Sequence, residues 1–314
     1  MSMIAVAGLS KLYGSKPAVR SLDFELARGQ ILGLLGLNGA GKTTVLKMLA
    51  CQLLPTSGRA TVDGRDVVSE SVEVRRRIGY LPDEPPLYDE MRVDSFLRFA
   101  AGLHGLAVDQ AGRRIEEVLG LLDLRPARDQ VIGTLSQGFR QRVGIAQAIV
   151  HEPPVVILDE PFTGLDPMQI SEMRSIVSNL RGRHTVLLSS HNLPEVSRIC
   201  DRFLLLSEGS MVAHGTEEEL ARKLGHGLAL TLELRAPESA VRSFLECRAE
   251  VSRLKIAETE PGVLRIELQL LEDVREELAR ELVEAGFGLL ALSPRQHELD
   301  AIFAGLAGAE VSAR

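Results

Sequence analysis

The chain has little that would carry it across a membrane or hold it to a polyanion by charge. No stretch of eighteen residues is apolar and free of charge, so no transmembrane helix of its own is expected. The first residues, Met-Ser-Met-Ile-Ala-Val-Ala-Gly, lack the basic region and long apolar run of a secretory leader, and no signal peptide is expected. Basic residues are not in excess either. The 36 Lys and Arg stand against 43 Asp and Glu, a formal net charge of −7, which argues against nucleic acid bound through a broad basic surface. Cysteine is scarce: Cys51, Cys200 and Cys247 are odd in number, far apart and in no metal-binding spacing, as suits reduced thiols in a cytoplasmic protein.

What remains is an ordinary globular composition, 45% hydrophobic and 25% charged, over 314 residues, a length that suggests two domains. The most informative stretch is Leu34 to Thr44, Leu-Leu-Gly-Leu-Asn-Gly-Ala-Gly-Lys-Thr-Thr, which follows strand-like residues Gln30 to Leu35. Gly36, Gly39 and Gly41 let the backbone wrap with its N–H groups inward, and Lys42 supplies a point charge for the β- and γ-phosphates of a nucleotide. A helix starting near Gly41 adds the positive end of its dipole. Thr43 is placed to ligate Mg²⁺ and Thr44 to reach another phosphate oxygen. Upstream, Tyr13 lies between two strand-like segments, Ile4 to Leu9 and Ala18 to Leu26; it is either a stacking platform for a base or an edge-strand aromatic without a ligand.

Arg59 to Val62 followed by Asp63-Gly64 reads as a strand entering a hairpin, and Ile78 to Leu81 as a short strand ending in the proline-rich Pro82 to Tyr88. Helical spacing over Val93 to Leu103 and Arg113 to Leu122 marks an inserted helical subdomain, about 84 to 150. It ends at Leu135-Ser136-Gln137-Gly138, where Ser136 is a natural helix cap and the helix start is either a second anion site or, taken alone, a capped structural helix. Val155 to Leu158 is an apolar run suited to a buried parallel strand, and it delivers Asp159-Glu160 at the edge where open α/β sheets bind ligands. Asp159 can hold Mg²⁺ opposite Thr43, and Glu160 can orient or deprotonate the water that attacks a γ-phosphate. Thr185 to Leu188 ends at His191, a candidate γ-phosphate sensor on the same edge. A second domain is expected over 227 to 314, after Gly225-His226-Gly227. Its pattern, strand Ala229 to Leu234, helix Glu238 to Cys247, strands near Val251 to Ile256 and Val263 to Leu268, helix Asp273 to Ala285 and strand Phe287 to Leu292, is the βαββαβ order of a ferredoxin-like unit, with a last helix from His297 to Leu306.

Taken together, Gly36 to Thr44, Leu-Ser-Gln-Gly at 135 to 138, Ile-Leu-Asp-Glu-Pro at 157 to 161, Gly-Leu-Asp-Pro at 164 to 167 and His191 resemble the ATP-binding subunit of an ABC transporter over residues 1 to about 225. The resemblance implies an α/β phosphate-loop ATPase with a RecA-like core, an antiparallel β subdomain and the helical insertion, working with ATP and Mg²⁺. It makes Tyr13 the adenine-stacking residue. It also makes Asn38, Gly39, Ala40, Gly41, Lys42, Thr43 and Thr44 the phosphate-loop contacts, and Ser136 and Gly138 the signature contacts. Glu160, Lys42 and His191 are the expected catalytic set, and Thr43, Asp159 and Asp83 the expected metal set. Gln137 and Phe139 depart from the family's signature. Asp83 stands where a glutamine is usual and cannot donate a hydrogen bond when ionised.

The resemblance further implies a homodimer around two ATP, working with polytopic membrane permease subunits at the cytoplasmic face of the membrane; Pro82 to Met91, mixing Pro, Leu, Tyr and acids beside the insertion, is either where those subunits dock or a plain surface loop. The tail resembles that of exporter subunits of the multidrug, lipid and gliding-motility-associated group. Its expected role is dimer-stabilising or regulatory. A ribosome-associated protein would be expected to carry paired cassettes, and a DNA-repair ATPase a long coiled coil between Lys42 and Ser136; this sequence has neither. An importer subunit is the alternative the motifs do not separate.

Overall fold

The computed structural model describes residues 2–191, 193–223 and 228–294, so the helix expected from His297 to Leu306 lies outside the described residues. The chain divides into two compact units, Met1–His214 and Gly215–Arg314.

The first unit contains two sheets. In the antiparallel one, Ser2–Tyr13 pairs with Lys16–Ala27 on one side and Ser57–Val62 on the other. Both hairpin strands are longer than their alternation suggests, because register shifts between Val6 and Leu9 and between Leu9 and Lys11 break the period while pairing continues. Asp63 and Gly64, with φ of 48° and 74°, then turn the chain into Arg65–Asp66, the two-residue connection that Asp-Gly favours. The short helix Ser71–Arg77 was not anticipated. Only its Val74 is buried, so no helical period marks it.

The second sheet has the order Ser210–Gly215, Arg202–Ser207, Ile31–Leu35, Thr185–Ser190, Val155–Leu158, Ile78–Leu81, and the four pairings from Arg202–Ser207 to Ile78–Leu81 are parallel. Strand parity decides what each residue meets. Leu32, Leu34, Ile78, Val155, Ile157, Leu187 and Leu204 share one core with Val45, Leu46, Met48 and Leu49 of the helix Lys42–Leu49. On the strand Ile78–Leu81 the residues of the other parity face the helix Gln137–Ile149. A Cβ on Gly79 would lie 1.9 Å from the Ala148 carbonyl oxygen, and Leu81 reaches Gly144.

The insertion supplies Val93–Leu103 and Val108–Leu121; the second helix begins five residues before the expected Arg113, its first turn burying only Ala111. His104, which ends the first of these helices, stacks on His151 with ring centroids 3.4 Å apart. Burial and the neighbouring His104 push the His151 imidazole down to about 4, so the stack is between neutral rings.

In the second unit the strands Leu228–Arg235, Val251–Glu260, Val263–Leu270 and Gly288–Pro294 form a sheet ordered second, third, first, fourth, with every adjacent pair antiparallel. The helices Glu238–Glu246 and Arg275–Glu284 cover one face, where Leu232, Leu234, Ile266, Leu268, Val241, Leu245, Leu278 and Leu282 form a separate core. This is the ferredoxin-like arrangement. The short helix Glu217–Lys223 belongs to this unit.

Candidate functional site

The buried strand Ile31–Leu35 feeds a loop that only glycine permits at its two ends. A Cβ on Gly36 would sit 2.4 Å from the Leu206 carbonyl oxygen, and one on Gly41, whose φ is 104°, would sit 2.5 Å from that of Ala18. The turn at Glu208-Gly209 clamps the same loop: Gly209 N–H donates to Ala40 (3.1 Å) and its carbonyl accepts from Arg20 (2.7 Å). Asn38, Gly39 and Thr43 stay exposed, with Ala40 buried and Thr44 half-buried behind them. Lys42 is 6% exposed and folds back over the loop, donating to the carbonyls of Gly36 (2.9 Å) and Leu37 (3.4 Å).

Two strands away, the parity that puts Val155 and Ile157 into the core on the Lys42–Leu49 side also puts Asp159 there, because the chain continues extended past Leu158. Asp159 is 1% exposed. Its Oδ1 accepts from Thr43 (3.3 Å) and from the Ser189 hydroxyl (2.6 Å), while Oδ2 is buried without a hydrogen-bond partner. Burial raises its pKa, an effect opposed by those two hydroxyls and reinforced by the nearby charges of Asp83 and Glu160.

Glu160 adopts a left-handed backbone (φ 50°), a conformation that costs a non-glycine residue about 1 to 2 kcal/mol. Four contacts hold it. Its N–H donates to Ser189 Oγ (2.9 Å), Oε1 lies 3.3 Å from Lys42 Nζ, and Oε2 accepts from the His191 N–H (3.3 Å) and lies 2.7 Å from His191 Nδ1. Lys42, Thr43, Asp159, Glu160 and His191, all picked from the sequence, thus form one network.

Ser189 is the residue the sequence reading passed over. It shares parity with Leu187, the signal that places it on the same side as Asp159, and it bridges Asp159 to the Glu160 backbone. Ser189→Ala is expected to leave the Glu160 N–H without that partner and to lower stability by about 1 to 3 kcal/mol, measured by urea denaturation. A loss under a few tenths of that range would refute the bridging role.

The remaining candidates lie around this network. Asp83 is exposed, yet its charge reaches Asp159 and Tyr80. Tyr13 ends its strand opposite Lys16 with its ring 52% exposed and Lys11 Nζ 5.6 Å from its centroid; a few residues on, Ala18 touches the phosphate loop. Ser136 and Gly138 stand apart. Ser136 caps its helix by accepting from Phe139 N–H (3.4 Å), and among the described residues neither hydrogen-bonds to the loop. Gly138 packs instead on the next motif: a Cβ there would meet Gln169, which forms a capping box with Asp166 at the start of Pro167–Asn179. Arg142, 8% exposed, ties the same two helices by pairing with Glu172.

A glycine loop closed on a buried lysine, facing two acids at the carboxyl ends of parallel strands, defines a phosphate-loop nucleoside triphosphatase. Residues 19–163 match the family model described as ABC transporter. The chain is 31% identical over 309 residues to the linearmycin resistance ATP-binding protein LnrL of Bacillus subtilis, covering 98% of each. It is 34% identical to the daunorubicin resistance ATP-binding protein DrrA3 of Streptomyces coeruleorubidus, covering 97% of this chain and 96% of that one. A solved ATP-binding subunit of an ABC transporter superposes with a TM-score of 0.65 at 32% identity, over 71% of this chain and 94% of that one. The chain belongs to the ATP-binding proteins of ABC transporters, and it binds and hydrolyses ATP.

Proposed function

We propose that the chain works as a homodimer around two ATP and two Mg²⁺ and drives polytopic membrane subunits in export, from the cytoplasmic face. The observation that carries the export reading is the match to LnrL and DrrA3 along almost the whole chain, the ferredoxin-like unit included. Among the described residues no helix is long and apolar enough to cross a membrane, and the translocation path is assigned to the membrane subunits.

The site is built as half of a pocket. Asn38, Gly39 and Thr43 leave one side of the phosphate loop exposed, and Ser136 and Gly138, at a helix start, make no hydrogen bond to it among the described residues. A second copy's helix start, set over the γ-phosphate, would stabilise its charge and exclude water. Lys42 would exchange Glu160 and the loop carbonyls for phosphate oxygens, leaving Glu160 to orient the attacking water and His191 to hold Glu160. Tyr13, with its ring open, would stack on adenine.

The residues present fit a divalent cation. Thr43, Asp159 and Asp83 offer hard oxygen donors, and the buried, unpartnered Asp159 Oδ2 is the kind of atom a hydrated ion satisfies. Such an ion takes one or two carboxylates and completes its shell with phosphates and water; among the described residues no group of three His, Cys, Asp or Glu side chains is placed to hold a metal. When bound, Mg²⁺ would neutralise charge on the β- and γ-phosphates.

Docking is assigned to the segment Pro82 to Met91 beside the insertion. Tyr88, 48% exposed, packs edge-on against Phe96 and Phe99, and Leu103 is 73% exposed; these form an apolar face at the insertion's rim. The C-terminal domain, 227 to 314, is assigned the role of steadying the dimer. Removing it is expected to weaken ATP-driven dimerisation severalfold in light scattering; unchanged dimerisation, ATPase and transport would count against that role. The export reading is tested by co-purifying the chain with its membrane subunits, reconstituting them in vesicles and following an amphiphilic antibiotic. ATP-dependent accumulation inside inverted vesicles supports it, and movement in the opposite direction overturns it.

A further inference from the structure

Tyr80 sits at an unusual point of the core. On the strand Ile78–Leu81 it pairs with Ile157 and shares parity with Ile78, so it packs on the side of the sheet that carries the helix Lys42–Leu49. Its ring belongs there; its hydroxyl does not. The oxygen is buried without a hydrogen-bond partner, an arrangement that strands a donor unless solvent or an ion shell meets it. Phenylalanine would fill the same space without that penalty.

The surroundings say what the hydroxyl meets. Tyr80 pairs with Ile157, two residues before Asp159, and lies three before Asp83; a phenol is a donor at neutral pH, and burial, then the charges of Asp159 and Asp83, raises its pKa further. Asp159 has used Oδ1 on Thr43 and Ser189 and holds Oδ2 buried and unpartnered. Carboxylates only accept hydrogen bonds, and the charge of Asp83 adds to the cost of ionising Asp159. Two carboxylates and one neutral donor, two of whose buried polar atoms are unpartnered, fit a cation held through water.

We propose that Tyr80 is a positioning residue for the nucleotide-bound divalent cation, its hydroxyl ordering the solvent through which Asp159 and Asp83 hold the ion. This rests on the ATP and Mg²⁺ reading given above. Tyr80 touches neither nucleotide nor water nucleophile; it acts through the two carboxylates. Nucleotide affinity in the absence of a divalent cation is therefore independent of it.

The test uses full-length chain carrying Glu160→Gln, with and without Tyr80→Phe, at saturating ATP. Dimer formation is followed by light scattering as Mg²⁺ is added, and ATP affinity is measured separately in EDTA. Loss of one hydrogen bond in the ion's shell is expected to raise the Mg²⁺ midpoint about three- to tenfold, while ATP affinity in EDTA stays unchanged and the thermal midpoint without Mg²⁺ stays equal or rises, because the unpartnered hydroxyl is gone. Asp83→Asn should raise the Mg²⁺ midpoint too, and its effect should shrink once Tyr80→Phe is present, because both act through the same solvent. An unchanged Mg²⁺ midpoint in Tyr80→Phe overturns the assignment, as does an equal loss of affinity in EDTA, which marks a structural role. Absence of Mg²⁺-dependent dimerisation in the parent protein overturns the dimer reading itself, a distinct outcome visible before any Tyr80 variant is made.

Discussion

Glu160→Gln is expected to abolish turnover while the protein still binds ATP, and to accumulate as an ATP-bound dimer. The substitution keeps the side chain's shape and one oxygen for His191, which lies 2.7 Å from Oε2, but removes the negative charge and the base. Loss of a positioned general base lowers the rate about 10²- to 10⁴-fold. The same change removes a competitor for Lys42. In the structure Glu160 Oε1 lies 3.3 Å from Nζ, both side chains being largely buried, so phosphate has to displace a carboxylate before it can use the lysine. ATP affinity should therefore be equal to or tighter than that of the parent. Gel filtration with ATP and Mg²⁺, beside a phosphate-release assay, checks both parts; a monomer with normal turnover would remove Glu160 from both roles.

The distinction between a base and a latch bears on what a sequence can show. Lys42, Thr43, Asp159, Glu160 and His191 were legible because each follows a strand or opens a helix, and parallel strands bring their carboxyl ends to one edge. The parallel core strands and the ferredoxin-like order were legible for a similar reason: short apolar runs and clear alternation. The interactions among those residues were not legible. That Lys42 rests on Glu160, or that Ser189 bridges Asp159 to the Glu160 backbone, depends on atoms a few ångströms apart across strands distant in sequence. Tyr80 was hidden differently. As one apolar-looking residue in a four-residue strand it reads as core, and only the unpartnered hydroxyl beside two carboxylates separates it from a phenylalanine. The helix Ser71–Arg77 escaped because a single buried valine sets no period.

Lys42→Ala carries the other large effect, and it is not a simple loss of charge. With phosphate bound, the ammonium makes charge-assisted hydrogen bonds worth about 1.5 to 3 kcal/mol, so the dissociation constant for ATP should rise about ten- to 150-fold. Fluorescence titration with a nucleotide analogue measures this. Without nucleotide, the same side chain satisfies the Gly36 carbonyl and the Glu160 carboxylate, and its removal leaves that carboxylate, 13% exposed, with His191 as its remaining charged or hydrogen-bonding side-chain contact among the described residues. Breaking one partner of a largely buried pair destabilises more than removing both. Lys42→Ala alone should therefore lower the nucleotide-free thermal midpoint further than Lys42→Ala with Glu160→Gln, even though the double variant carries more changes. If the two losses simply add, the lysine and glutamate do not hold each other in the empty site. If the double variant recovers stability, the resting contact is a true latch, and the first event in the ATPase cycle is the exchange of Glu160 for phosphate at Lys42.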